Sequence, residues 1–218
     1  MRDTRWSLIV PLKPLRLAKS RLAAVAGDAL RPSLALAFAE DTVAAALACA
    51  AVRDVVVVTD DPFATGRLAR LGARIVPDSP ARGLNAALAY GAEAVRSAAP
   101  GAAVAALNAD LPALRPAELA RVLTAAGTYA RSFLADAAGV GTTLLAAAPG
   151  VALAPAFGGA SRARHLASGA AELRPAEVDS VRRDVDTGED LRAALALGVG
   201  PRTAVGARRL TTFAGSDR

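Results

Sequence analysis

The sequence predicts an α/β protein built on a mostly parallel, doubly wound sheet. Two observations carry that expectation. Short apolar runs rich in valine alternate with longer alanine- and leucine-rich stretches of helical pattern, the arrangement of βαβ units. Pro32, Pro62 and Pro116 stand where three of the longer stretches begin, and a proline in the first helical turn forfeits no hydrogen bond.

Taken in order, Leu8–Pro11 is expected as a buried strand, followed by a helix over Pro32–Ala50. Asp54–Thr59, with its run of valines, is the second clear strand, and Pro62–Leu71 the next helix. Arg74–Pro77 is a shorter strand, Gly83–Ala98 a helix, Ala103–Leu107 a third clear strand and Pro116–Ala126 a helix. Ser132–Ala135 and Thr142–Ala147 are short strands, and Ser161–Ser168 and Gly188–Leu197 are helices. No repeat or linker divides the chain, so one domain is expected over residues 1–207, with Arg208–Arg218 as a flexible tail.

Composition narrows the function classes. Aromatic residues make up only 4%, too few for the stacking platforms that bind single-stranded nucleic acid. The net charge of +6 is spread along the chain, which suits a small anionic ligand better than a nucleic-acid groove. Cys49 is the single cysteine and reads as a small buried hydrophobe, so neither an intrachain disulfide nor a cysteine metal cluster is available. No long uncharged apolar run suggests a membrane span and no signal-peptide core follows the N-terminus, so a cytoplasmic protein is expected. His165 is the single histidine, which excludes mechanisms that need two imidazoles.

All but two of the 26 basic residues are arginine, and the two lysines, Lys13 and Lys19, fall in one segment after the first strand. A lysine ammonium acts as a compact point charge on phosphate, so this loop is a candidate anion site; two solvated surface lysines are the competing reading. Ligands of doubly wound sheets sit beyond the carboxyl ends of the strands. Lys13, Lys19, Asp60, Asp61 and the Asn108-Ala-Asp110 turn all follow predicted strands, so they converge on one rim.

Asp110 ends a strand just ahead of Pro112 and could ligate a divalent cation of the Mg²⁺ type, or instead serve the turn before the Pro116 helix. In Asp184-Val-Asp186 an extended backbone turns both carboxylates to one face, where they repel unless a cation or a proton intervenes. Thr187 and Asp190 read as the cap of the following helix, which leaves Asp184 and Asp186 unexplained. Three aspartates and two lysines describe a phosphoryl- or nucleotidyl-transfer site. If the attacking group is already a phosphate anion, no general base is required.

Val10-Pro-Leu-Lys13, Ala18-Lys-Ser-Arg-Leu22, Gly83-Leu-Asn85, Ala109-Asp-Leu-Pro112, Gly139-Val-Gly-Thr-Thr143 and Asp184-Val-Asp-Thr187 together resemble one family. It is the guanylyltransferases of deazaflavin coenzyme F-420 biosynthesis, which act on 2-phospho-L-lactate or phosphoenolpyruvate. The resemblance runs in order from about Ser7 to Leu197. It implies a single-domain, nucleotide-diphospho-sugar-transferase-like α/β sandwich, with a mixed, mostly parallel sheet and helices on both faces.

It further implies transfer of GMP from GTP to the phosphorylated acid, with Mg²⁺ as cofactor and release of pyrophosphate. By the same resemblance Asp110, Asp184 and Asp186 match metal ligands, and Lys13, Lys19 and Arg21 match the triphosphate-binding loop. Thr142, Gly158 and Ser161 match positions that hold the acid, and Ser20, Gly83 and Asn85 fall where the nucleotide is expected. Read alone, Thr142 is a strand former, Ser161 the N-cap of a glycine-rich turn, and Asn85 a polar residue on a helix surface.

The glycine-rich first loop of sugar nucleotidylyltransferases is missing here, as it is in the coenzyme family. The arginine- and alanine-rich composition resembles high-GC actinobacterial proteins, which favours phosphoenolpyruvate over 2-phospho-L-lactate. GTP, the acid, a downstream transferase accepting the product and a second copy of the chain are the expected partners, with no nucleic acid and no membrane. The rival of another class is a non-catalytic nucleotide-binding module of the same fold.

Overall fold

The computed structural model describes residues 5–79 and 81–214. At its centre β1 (Trp6–Pro11) pairs in parallel with β2 (Val52–Val58) on one side and with β4 (Ala103–Leu107) on the other. β3 (Arg74–Val76) continues the parallel half beyond β2. Beyond β4 comes β6 (Thr142–Ala147), antiparallel to β4 and to β5 (Arg131–Ala135), with β7 (Ala171–Glu172) parallel to β5 at the edge. The sheet order is therefore β3-β2-β1-β4-β6-β5-β7, mixed but mostly parallel, as expected.

Leu8, Ile9 and Val10 are all fully buried, because helices cover both faces of the sheet and leave neither to water. Alternation along the strands divides the core. Leu8, Val10, Val55 and Val57 pack with α1 (Ala23–Leu47) and α4 (Pro116–Ala126), while Ile9, Val56 and Val58 face α3 (Leu84–Ala98). Gly91 lets α3 approach closely: a β-carbon there would stand 2.6 Å from Ile9 Cγ2 and 2.8 Å from Val58 Cγ2.

Two expected boundaries are corrected. Pro32 lies inside α1 instead of starting it, because the helical path breaks upstream at Gly27, whose φ of 63° and ψ of 165° are not helical. The supposed tail is helical as far as α8 (Pro201–Ala214), and 215–218 lie outside the described residues. α8 starts where Asp41 of α1 accepts the amides of Arg202 (3.3 Å) and Thr203 (2.7 Å), so its cap comes from a distant helix. Pro62 and Pro116 do open α2 (Pro62–Arg70) and α4, as expected. Short helices α5 (Ser161–Ala167) and α6 (Asp179–Arg182), then α7 (Gly188–Leu197), complete the chain. No helix among the described residues is long and apolar enough to cross a membrane.

Candidate active site

The carboxyl ends of β1 and β4 open into a cavity of about 670 Å³ lined by Lys13, Lys19, Arg21, Asp110, Thr142, Gly158, Ser161, Asp184 and Asp186. Nine residues expected in the site on sequence grounds thus share one cavity. The antiparallel β6 explains how Thr142, at the start of a strand, joins residues at strand ends. Leu107 pairs with Leu144 and the Asn108 amide donates to the Thr143 carbonyl at 3.0 Å, so β6 begins where β4 finishes.

The first loop is built as two 3₁₀ turns, Leu15–Leu17 and Ser20–Leu22. Buried Leu15 anchors it, and the Leu15 amide donates to Asp61 Oδ2 at 2.8 Å. Asp61 also caps α2, accepting from the amides of Phe63 and Ala64 at 3.0 Å. The Arg31 guanidinium holds the carbonyls of Arg16 and Ala18 from the other side. Lys19 takes a left-handed φ of 56°, and its ammonium donates to Asp110 and, at 2.6 Å, to Asp186. Lys13 and Arg21 are exposed at the cavity wall, and the Ser20 side chain lies outside what is described.

Two hydrogen bonds fix the aspartates. The Leu111 amide donates to Thr42 Oγ1 of α1, and the Val185 amide donates to the Asp110 carbonyl, both at 3.0 Å. Val185 is fully buried against Leu22, Phe38 and Leu191, which leaves its flanking carboxylates at the cavity. Thr187 and Asp190 form the expected capping box at the start of α7. Capping therefore accounts for Thr187 and Asp190 and leaves Asp184 and Asp186 available.

Burial first, then the charges of Asp110, Asp186 and Asp136, push the Asp184 carboxyl up to about 7, with Lys19 opposing. For Lys19 burial disfavours the charge, but Asp110 and Asp186 outweigh it and raise the ammonium above its ordinary range. Asp110 Oδ1 is buried with no hydrogen-bond partner. A carboxylate oxygen left bare beside a second carboxyl that resists ionisation fits a divalent cation, which would relieve both. Among the described residues no three such groups surround a common point, and Lys19 is paired with two of the carboxylates.

The opposite wall comes from the hairpin between β5 and β6 and from the segment leading into α5. Asp136 accepts the amides of Val140 (2.9 Å) and Gly141 (2.7 Å), folding the hairpin onto the cavity. Gly158, at φ 98°, precedes Ser161, which is the first residue of α5 after Ala160 as N-cap and not itself the cap. Both polar atoms of the Asn85 amide bond the Phe157 backbone, at 2.8 and 3.1 Å, and its neighbour Leu84 lines the cavity. Gly83, at φ 90°, is the N-cap of α3.

Asp60 and Asp61 stand at the expected rim but serve structure; Asp60 accepts the Asp78 amide at 2.9 Å. One cavity residue, Asp136, and one residue behind the cavity wall, His165, were not among those expected. Asp136 follows a predicted strand, as Asp110 does, and the same rule would have found it. His165 is buried behind Thr142, its Nδ1 2.9 Å from Thr142 Oγ1, and no spacing in the sequence signals that contact. A second depression of about 480 Å³ lies behind the hairpin, where Arg162 and Arg174 are held by Glu172.

Known proteins with related sequences align over almost the whole of this architecture. The model of a family described as guanylyl transferase CofC like matches residues 6–211. A phosphoenolpyruvate guanylyltransferase from Streptomyces avermitilis is 72% identical over 206 residues, spanning 94% of this chain and 95% of its own. Among solved structures, a nucleotidyl transferase from Methanothermobacter thermautotroptrophicus aligns with a TM-score of 0.60 at 21% identity, over 88% of this chain and 97% of that one. A Desulfovibrio desulfuricans protein described as a nucleotide-diphospho-sugar transferase aligns at 0.59 and 15% identity, over 89% and 96%. Likeness at that identity speaks for the fold alone, which is the mixed α/β sandwich the family resemblance implied.

Proposed function

The chain belongs to the CofC-like guanylyl transferases, and from that premise we propose that it transfers GMP from GTP to phosphoenolpyruvate, as a step of deazaflavin coenzyme F-420 biosynthesis. The observation that carries the reading is one cavity joining a lysine-bearing loop and three aspartates to the Thr142, Gly158 and Ser161 wall. The name of the 72%-identical relative supports phosphoenolpyruvate as the acid.

Asp110, Asp184 and Asp186 would hold a divalent cation, Mg²⁺ by the chemistry of an all-oxygen donor set. When bound, such a cation would supply positive charge to offset the negative charge that develops on the transferred group. Lys19 then exchanges its carboxylate partners for the β- and γ-phosphates, joined by Lys13 and Arg21 at the cavity wall. Thr142, Ser161 and the backbone at Gly158 orient the acid so that its phosphate oxygen faces the α-phosphorus of GTP. That oxygen bonds to phosphorus as the bond from the α-phosphorus to the α–β bridging oxygen breaks, and pyrophosphate leaves with the electron pair. The nucleophile arrives deprotonated, so no residue has to remove a proton.

Pyrophosphate release should be measured with each nucleoside triphosphate and with phosphoenolpyruvate or 2-phospho-L-lactate, in the presence of Mg²⁺. Turnover is expected with GTP and phosphoenolpyruvate. Turnover with 2-phospho-L-lactate alone would reassign the acid, and GTP binding without turnover on either acid would leave a nucleotide-binding module.

A further inference from the structure

His165 is fully buried on α5, edge-on to Phe157 (ring centroids 5.2 Å apart) and tilted against Phe133 (5.6 Å). Both its nitrogens are engaged. The Ala156 amide donates to Nε2 at 3.0 Å, and Nδ1 lies 2.9 Å from Thr142 Oγ1. A backbone amide can only donate, so Nε2 must be the unprotonated nitrogen. The proton of the neutral ring therefore sits on Nδ1, and Nδ1–H donates to Thr142 Oγ1. A hydroxyl that accepts from behind keeps its own proton for another partner. That proton meets no acceptor among the described residues, and Thr142 lines the cavity.

We propose that His165 is a positioning residue that holds the Thr142 hydroxyl as a hydrogen-bond donor to the anionic acid substrate. The inference rests on the functional reading above for the identity of that ligand. The same ring ties the whole acid wall together. Its Nδ1 orients Thr142, its Nε2 fixes the backbone that leads to Gly158, and its helix begins at Ser161. An imidazole in the other tautomer would accept from Thr142, turn the hydroxyl proton away from the cavity and present a lone pair to an anion.

The single histidine makes the test direct. In untagged, ¹⁵N-labelled protein at neutral pH, long-range ¹H–¹⁵N NMR should show one ring, with Nδ1 protonated and Nε2 bare. A proton on Nε2 overturns the proposal. Kinetics supply the second measurement. His165→Asn places a side-chain N–H near the position of Nδ1, whereas His165→Gln can satisfy Ala156 but offers Thr142 no donor there. The Gln variant should raise KM for phosphoenolpyruvate about tenfold, the worth of one lost hydrogen bond, with KM for GTP unchanged. The Asn variant, which keeps a donor to Thr142, should raise KM for phosphoenolpyruvate clearly less than the Gln variant, with KM for GTP again unchanged. Equal increases in the two variants, or none in either, would show that the ring acts by packing alone. Absence of turnover by the wild type on any phosphorylated three-carbon acid would sink the functional reading instead, whatever the tautomer.

Discussion

The Val185 amide donates to the Asp110 carbonyl at 3.0 Å, and this bond joins two segments far apart in the chain at the floor of the cavity. Val185 points into a fully buried apolar cluster, so the carboxylates on either side of it must face the cavity beside Asp110. Carboxylates are thus held together by a backbone bond and a hydrophobic anchor, and burial first, then their mutual repulsion, raises the Asp184 carboxyl.

That shift sets a pH dependence. An acid whose folded pKa lies above its unfolded value binds its proton more tightly in the fold, so stability falls as pH rises from about 4 to about 7. Asp184→Asn keeps the neutral shape and removes the effect. In metal-free buffer the variant should match wild type near the lower pH and melt higher at the upper one, while losing turnover. Mg²⁺ should stabilise wild type and not the variant. A melting difference that does not change with pH would refute the raised Asp184 carboxyl.

Lys19 is the cation that now offsets Asp110 and Asp186. Lys19→Ala should raise KM for GTP by about tenfold or more, as expected for a charge-assisted contact to phosphate. It should also lower the metal-free melting temperature, and Mg²⁺ should restore it. An unchanged KM for GTP would remove Lys19 from triphosphate binding.

Asp61 does not line the cavity, yet it holds both the start of α2 and the lysine loop through Leu15. Asp61→Ala should cost about 1–2 kcal/mol of stability as a lost cap. It should also raise KM for GTP by loosening the loop. A stability loss with normal GTP kinetics, measured by denaturant titration and steady-state rates, would confine Asp61 to the cap.

His165 adds to the loss of stability in acid. Burial first, then the charges of Arg131 and Arg164, lower its pKa to about 4. The unfolded ring takes a proton near pH 6.5, so stability is complete above that value and is lost as pH falls toward 4. The loss attributable to this ring is on the order of 3 kcal/mol. Urea titrations of wild type and His165→Asn across this range should converge as the pH falls.

Much of this was legible in the residues. The valine runs located the strands, because β-branched side chains buried on both faces leave no other pattern. The two lysines and the Asp184-Val-Asp186 triplet marked the site, since like charges so close together call for a counter-charge. The turn chemistry of Thr187 and Asp190 was local and could be read directly. Several features lay beyond local pattern. The start of α8 depends on a carboxylate of α1, and Pro32 lies inside a helix because of a backbone break at Gly27. The antiparallel direction of β6 is set by pairing with β4, and only that pairing carries Thr142 to the rim of the aspartates. His165 reads in sequence as an isolated residue, and its role comes from an amide and a hydroxyl that the fold brings to its two nitrogens. Composition and spacing by themselves pointed to Lys13, Lys19, Asp110, Asp184 and Asp186, because charge and side-chain chemistry are properties of the chain, whereas Arg21, Thr142, Gly158 and Ser161 were expected only through the family resemblance. Which of those groups meet, and which way each proton points, only the tertiary structure decided, because hydrogen-bond direction depends on partners far away in sequence.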